Sequence, residues 1–161
     1  MEIDTISDVL LRLLAAVGAG MLLGANRDLS GKPMGARTLG LVALGAAVIS
    51  VGTIHIEAIE SDPDALSRVI QGIVPGVLTG IGFLGAGVVI RDRERQTVHG
   101  LTTAATVWVT AALGVTCALA AWPIVLIGLV LALGLLLLGH PAVARALGVK
   151  PSADADPLER P

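Results

Sequence analysis

The chain has 161 residues, of which 54% are hydrophobic and 15% charged, with a formal net charge of −2. Soluble domains carry about 25% charged residues, and apolar blocks as long as those found here exceed what a soluble core of this size can bury, so the bulk of the chain reads as one integral membrane domain. The slight negative charge offers nothing to attract nucleic acid. The single cysteine, Cys117, excludes an internal disulfide.

Residues 1–8 are expected to form a short outer N-terminus, and Glu2, Asp4 and Asp8 stand where a cleavable signal carries Lys or Arg. Residues 9–140 are expected to be an all-α bundle of five transmembrane helices, and residues 141–161 a cytoplasmic tail, mostly disordered. The five apolar blocks run Val9–Ala25, Thr38–Ile54, Val69–Ile90, Leu101–Trp122 and Pro123–Gly139. Only helices or closed barrels satisfy the backbone in lipid. The blocks are too long and too continuously apolar for barrel strands. The link Ala120-Ala121-Trp122-Pro123 is so short that the fourth and fifth spans form an antiparallel hairpin, with Pro123 suited to a helix start and Trp122 to the interface.

Charge sorts the connections. Arg27, Lys32 and Arg37 surround the first; Arg91, Arg93 and Arg95 fill the third; Arg145, Lys150 and Arg160 follow the last span. Glu57, Glu60, Asp62 and Asp64 dominate the second. With five crossings, nine of the eleven basic residues fall on one side. This is the positive-inside pattern, and it places the N-terminus outside and the C-terminus in the cytoplasm. Arg12 breaks the pattern inside the first span, where it must snorkel outward or pair within the bundle.

Several groups of residues are candidates for function. Asn26, Arg27 and Arg37 form a candidate polar cluster at the inner mouth, against the simpler reading of lipid-phosphate anchoring. Asp62, Arg68 and Gln71 stand at the outer opening of the third span, where Asp62-Pro63-Asp64 reads as a helix start. That span carries Gly72, Gly76 and Gly80 at i, i+4, i+8, followed by Gly82, Gly85 and Gly87. Glycine is costly in a helix unless a neighbouring backbone approaches, so these residues are candidates for tight helix packing. Gly20 and Gly24 repeat the spacing in the first span. Thr102, Thr103, Thr106 and Trp108 open the fourth span, where threonine hydroxyls bond back to helix carbonyls or across to a neighbour. The acidic second connection lacks calcium-loop spacing and reads as a solvated loop. No nucleophile–base pair, zinc spacing or nucleotide motif is evident, and no carboxylate lies within the spans for cation coupling. No enzyme activity, metal or cofactor is expected.

Three blocks in this order resemble the MgtC/SapB family of bacterial inner-membrane proteins. They are Gly24-Ala25-Asn26-Arg27 with Gly35-Ala36-Arg37-Thr38; Asp62-Pro63 through Arg68 and Gln71 to Gly80-Ile81-Gly82-Phe83-Leu84-Gly85-Ala86-Gly87; and Gly100-Leu101-Thr102-Thr103-Ala104-Ala105-Thr106 with Trp108. The chain differs from the family pattern in having Asn26 before Arg27, where Glu is usual, and in about four extra residues, Val74–Val77, just over one helical turn. About twenty polar residues follow the membrane part, too few for the ACT-type domain of many relatives, so a short member is expected. The resemblance implies a multi-pass protein of the bacterial inner membrane, concerned with magnesium limitation, virulence and stress adaptation. It would act on membrane partners or on itself as a homo-oligomer. The alternative is a small oligomeric channel or transporter for Mg²⁺ or another cation.

Overall fold

The computed structural model describes residues 3–54, 63–92 and 97–138. Among the described residues five helices follow one another: α1 (Ile3–Leu29), α2 (Ala36–Ile54), α3 (Pro63–Gly87), α4 (Leu101–Ala118) and α5 (Trp122–Leu138). Between α3 and α4 lies an unexpected feature, a ribbon of two antiparallel strands, β1 (Ile90–Asp92) and β2 (Thr97–His99), pairing Ile90 with His99 and Asp92 with Thr97. This segment is charged and lacks a long apolar alternation, which is why it read as a plain connection. Three stretches are long and apolar enough to cross a membrane: Thr5–Leu29, Ala36–Ile54 and Leu101–Ala118. The Val74–Gly87 part of α3 and the whole of α5 are apolar but shorter.

α1, α2 and α4 form the inner bundle. Its interior is built from small side chains, with Ala16, Ala43, Ala47, Cys117 and Ala118 wholly buried, and Leu23, Leu39 and Val107 filling the other end. Small residues let the helix backbones approach closely, the packing mode available where lipid removes the hydrophobic drive between helices. Gly20, Gly24 and Gly114 are the contact points. A methyl on Gly20 would stand 2.5 Å from the Leu39 carbonyl oxygen, one on Gly24 would overlap the backbone of Gly35 and Ala36, and one on Gly114 would overlap the Ala43 carbonyl.

α3 and α5 flank this bundle against α4. α5 sends only Val125 fully inward, and a methyl on Gly128 would stand 3.3 Å from the Leu113 side chain. Ile124, Leu126, Ile127, Val130, Leu131 and Leu135 are all more than 60% exposed. Such a surface is a liability in water and free of cost in hydrocarbon.

Both short helix–helix turns share one closure. At the end of α1, Lys32 N–H bonds the Arg27 carbonyl and Gly31 N–H bonds that of Asp28; at the end of α4, Ala121 N–H bonds Thr116 and Ala120 N–H bonds Cys117. These are Schellman pairs, which turn the residue after the cap left-handed. Gly31 does so at φ 63° without strain, whereas Ala120 is held at φ 52° with a side chain.

Candidate functional site

Two features stand at the end of the bundle that carries the α1–α2 turn: a knot of polar bonds between three helices, and an open groove.

The knot begins with Asp28 and Arg27, adjacent residues that point opposite ways. The Asp28 carboxylate accepts the Ala36 N–H at 2.8 Å. α2 is headed by Gly35, which has no side chain to cap it, so an acid eight residues upstream does the capping and also complements the positive end of the helix dipole. Gly35 is needed for this, because a methyl there would overlap the Asp28 carboxylate. Arg27 turns inward and is only 4% exposed. Its Nε donates to the Pro33 carbonyl at 3.0 Å, and its guanidinium donates to the Thr103 hydroxyl in the first turn of α4. One buried cation therefore ties α1, the turn and α4 together, and a charged donor gives stronger bonds than a neutral one.

α4 is aimed at Arg27 by Gly100. This residue has φ 87°, and a methyl on it would overlap the Val88 carbonyl at the end of α3. Glycine is required there on both counts. From that start, Thr103 faces inward, whereas Thr102 is exposed. Thr106 is buried and donates to the Thr102 carbonyl at 2.7 Å, and Thr110 repeats this with Thr106. Trp108 is half exposed on the outer face of α4.

The three residues grouped at the inner mouth thus separate. Arg27 is buried; Asn26 is half-buried and accepts the Ser30 hydroxyl through its backbone carbonyl at 2.8 Å. Arg37 is exposed, and no hydrogen bond ties it to either of the others or to an acceptor among the described residues. Asp28 was absent from that grouping. The signal available in the sequence was Gly35 itself, a helix start with no capping side chain of its own.

Arg37 stands at the mouth of the groove. α3 rests on α4 and stands away from α2, leaving a space of about 700 Å³. Leu41, Gly45 and Ile49 of α2 form one wall; Gly76, Gly80 and Leu84 of α3 form the other. The walls are apolar, and among the described residues that line it Arg37 is the only charged one. The α3 glycines meet little of their own chain. A methyl on Gly72, Gly76, Gly80, Gly82 or Gly87 would have nothing within 4 Å among the described residues, and one on Gly85 would make ordinary contact with Ala104 at 3.6 Å. Within the chain, the tight packing expected of the α3 row is made instead by Gly20, Gly24 and Gly114, because α3 touches the bundle along its Gly85 face and turns Gly76 and Gly80 to the groove.

At the opposite end of the bundle, Arg12 pairs within the protein. Its Nε lies 2.7 Å from the Asp8 carboxylate, as an ion pair without hydrogen-bond alignment, and its guanidinium donates to the Ala118 carbonyl at 2.6 Å. A cation at the last turn of α4 complements the negative end of its dipole. Near that end of α3, Gln71 donates to Ser67 at 3.0 Å. Asp62 lies outside the described residues, as does the Arg68 side chain. Among the described residues, no three His, Cys, Asp or Glu side chains gather to hold a metal.

The MgtC family model matches residues 13–145, which include the Asp28 cap, the Arg27–Thr103 link and the whole groove. This chain belongs to the MgtC family. Among curated relatives, Protein SrpB of Synechococcus elongatus is 43% identical over 125 residues, 73% of this chain and 66% of SrpB. Protein MgtC of Salmonella typhi is 39% identical over 147 residues, 91% of this chain and 59% of that protein. Protein SapB of Bacillus subtilis is 33% identical over 109 residues, 66% of this chain and 46% of SapB. The chain therefore spans between 46% and 66% of the length of these MgtC-family relatives. No solved structure matches it.

Proposed function

We propose that this MgtC-family chain is a non-enzymatic, five-span protein of the bacterial inner membrane that modulates membrane partners by helix docking on the glycine face of α3. The Arg27 end lies at the cytoplasmic side and the N-terminus outside, following the distribution of basic residues. The physiological setting is adaptation to magnesium limitation or stress, as the family resemblance implies. One observation supports docking above all. A methyl on Gly72, Gly76 or Gly80 would meet nothing within 4 Å among the described residues, whereas Gly20, Gly24 and Gly114 are closed against backbone. A glycine row costs helix stability and returns it only when another helix lies against it. The partner is a membrane helix, either of another protein or of a second copy.

Four of the polar groups described above are engaged in structure. Arg27, Asp28 and Thr103 hold helix ends together, and Arg12 holds the end of α4. The alternative, a small oligomeric Mg²⁺ channel, gains nothing from the groove, whose walls are apolar and whose one charge among the described residues is positive. Photocrosslinking from position 72 in native membranes tests the docking reading. Specific adducts that Gly76→Leu and Gly80→Leu abolish are expected. Unchanged adducts in those variants, or saturable Mg²⁺ flux through the purified protein in liposomes, would contradict it.

A further inference from the structure

The groove has the dimensions and polarity of a site for lipid. Its α2 wall runs from Arg37 to Ile49, twelve residues apart, or about 18 Å at the rise of a helix. One leaflet of the hydrocarbon core is about 15 Å deep, and a complete crossing about 30 Å. The groove therefore covers one leaflet, not two. It is apolar along its length, and its floor is kept low by Gly45, Gly76 and Gly80, none of which has a neighbour among the described residues within 4 Å of where a side chain would begin. At its interfacial end stands the exposed Arg37, with no acceptor among the described residues. The acid nearest in sequence, Asp28, is engaged by the Ala36 N–H and does not line the groove. An apolar slot one leaflet deep, closed at headgroup level by a guanidinium that meets no acid among the described residues, complements an acyl chain carrying a phosphate.

We propose that the α2–α3 groove binds one acyl chain of an anionic phospholipid, with the lipid phosphate on Arg37. An arginine offers a planar fork of N–H donors that matches phosphate oxygens. The chain fills space that no side chain of the described residues occupies. This deepens the docking reading and rests on it in one respect: Gly76 and Gly80 belong both to the groove floor and to the docking face, so lipid occupancy sets how much of that face a partner helix finds open. The lipid site itself needs no partner and is measured without one.

The test is native mass spectrometry of the purified full chain after equilibration in mixed micelles containing equal phosphatidylglycerol and phosphatidylcholine. The wild type retains one phosphatidylglycerol in preference to phosphatidylcholine. Arg37→Gln lowers that preference about fivefold, the effect of one basic residue near an anionic lipid surface. Gly80→Leu puts a side chain into the groove and removes both lipids, while its Cβ has no neighbour within 4 Å among the described residues. Lys32→Gln, a charge change at the same end but not on the groove lining, leaves the preference unchanged. Equal preference in Arg37→Gln and wild type, or full lipid retention in Gly80→Leu, would overturn the proposal. So would displacement of the bound lipid by millimolar inorganic phosphate, which would show a headgroup site without a chain site. A negative lipid result leaves the position-72 crosslinks as the separate test of docking.

Discussion

α1 and α3 both carry glycines four residues apart, yet they use them oppositely. Gly20 and Gly24 bring α1 against the backbone of α2, closer than any side chain would permit. Gly72, Gly76 and Gly80 hold no neighbour at all among the described residues. The spacing is the same, and so is the apolar setting. What separates them is what stands opposite: the first turns of α2 in one case, and for Gly76 and Gly80 a groove. A small-residue stripe in a membrane helix therefore reports that something approaches closely, without saying whether that something belongs to the same chain.

Substitutions can break this contrast, starting with the severest. Gly100→Ala adds a methyl that overlaps the Val88 carbonyl, on a backbone at φ 87°. Overpacking of this kind costs about 3 kcal/mol, and a left-handed backbone adds to it, so the variant is expected to unfold well below the wild type in a thermal scan in detergent. Arg27→Met removes the buried cation and strands the Thr103 hydroxyl and Pro33 carbonyl; a loss of about 2–3 kcal/mol is expected, as for hydrogen bonds to a charged group. In the same assay Thr103→Ala should lose more than Thr102→Ala, since the buried Thr103 accepts from Arg27 and Thr102 is exposed. Asp28→Ala uncaps α2 and should cost about 1 kcal/mol, read as increased amide exchange in its first turn. Ala120→Gly should do the reverse. It relieves a side chain held at φ 52° and stabilises the α4–α5 turn by about 0.5–1 kcal/mol.

The three long apolar helices were legible because a helix that crosses a bilayer must have a length and a polarity that composition displays directly. α3 shows how far this goes. Its start at Pro63 could be read from Asp62-Pro63-Asp64, but its packing could not, because Gly85 and Gly80 differ only in which face meets α4. The polar end was legible in composition and not in geometry. Arg27 and Arg37 both looked like headgroup arginines, and only the fold separates a buried one from one at a groove mouth. Asp28 was hidden for a different reason. Its target is the head of the next helix, reached through a turn whose shape depends on Gly31 in a left-handed conformation. The β1–β2 ribbon was hidden because two three-residue strands carry too few residues for a period to register.

The contrast between the two glycine sets is tested most directly by paired unfolding of Gly24→Ala and Gly80→Ala under identical micelle conditions. Gly24→Ala should lose about 3 kcal/mol, because its methyl has only backbone to enter. Gly80→Ala should hold its stability or gain up to about 1 kcal/mol from helix propensity, because its methyl enters open space. Equal losses at the two positions would mean that α3 is packed as tightly as α1 and that no face of it is left for a partner.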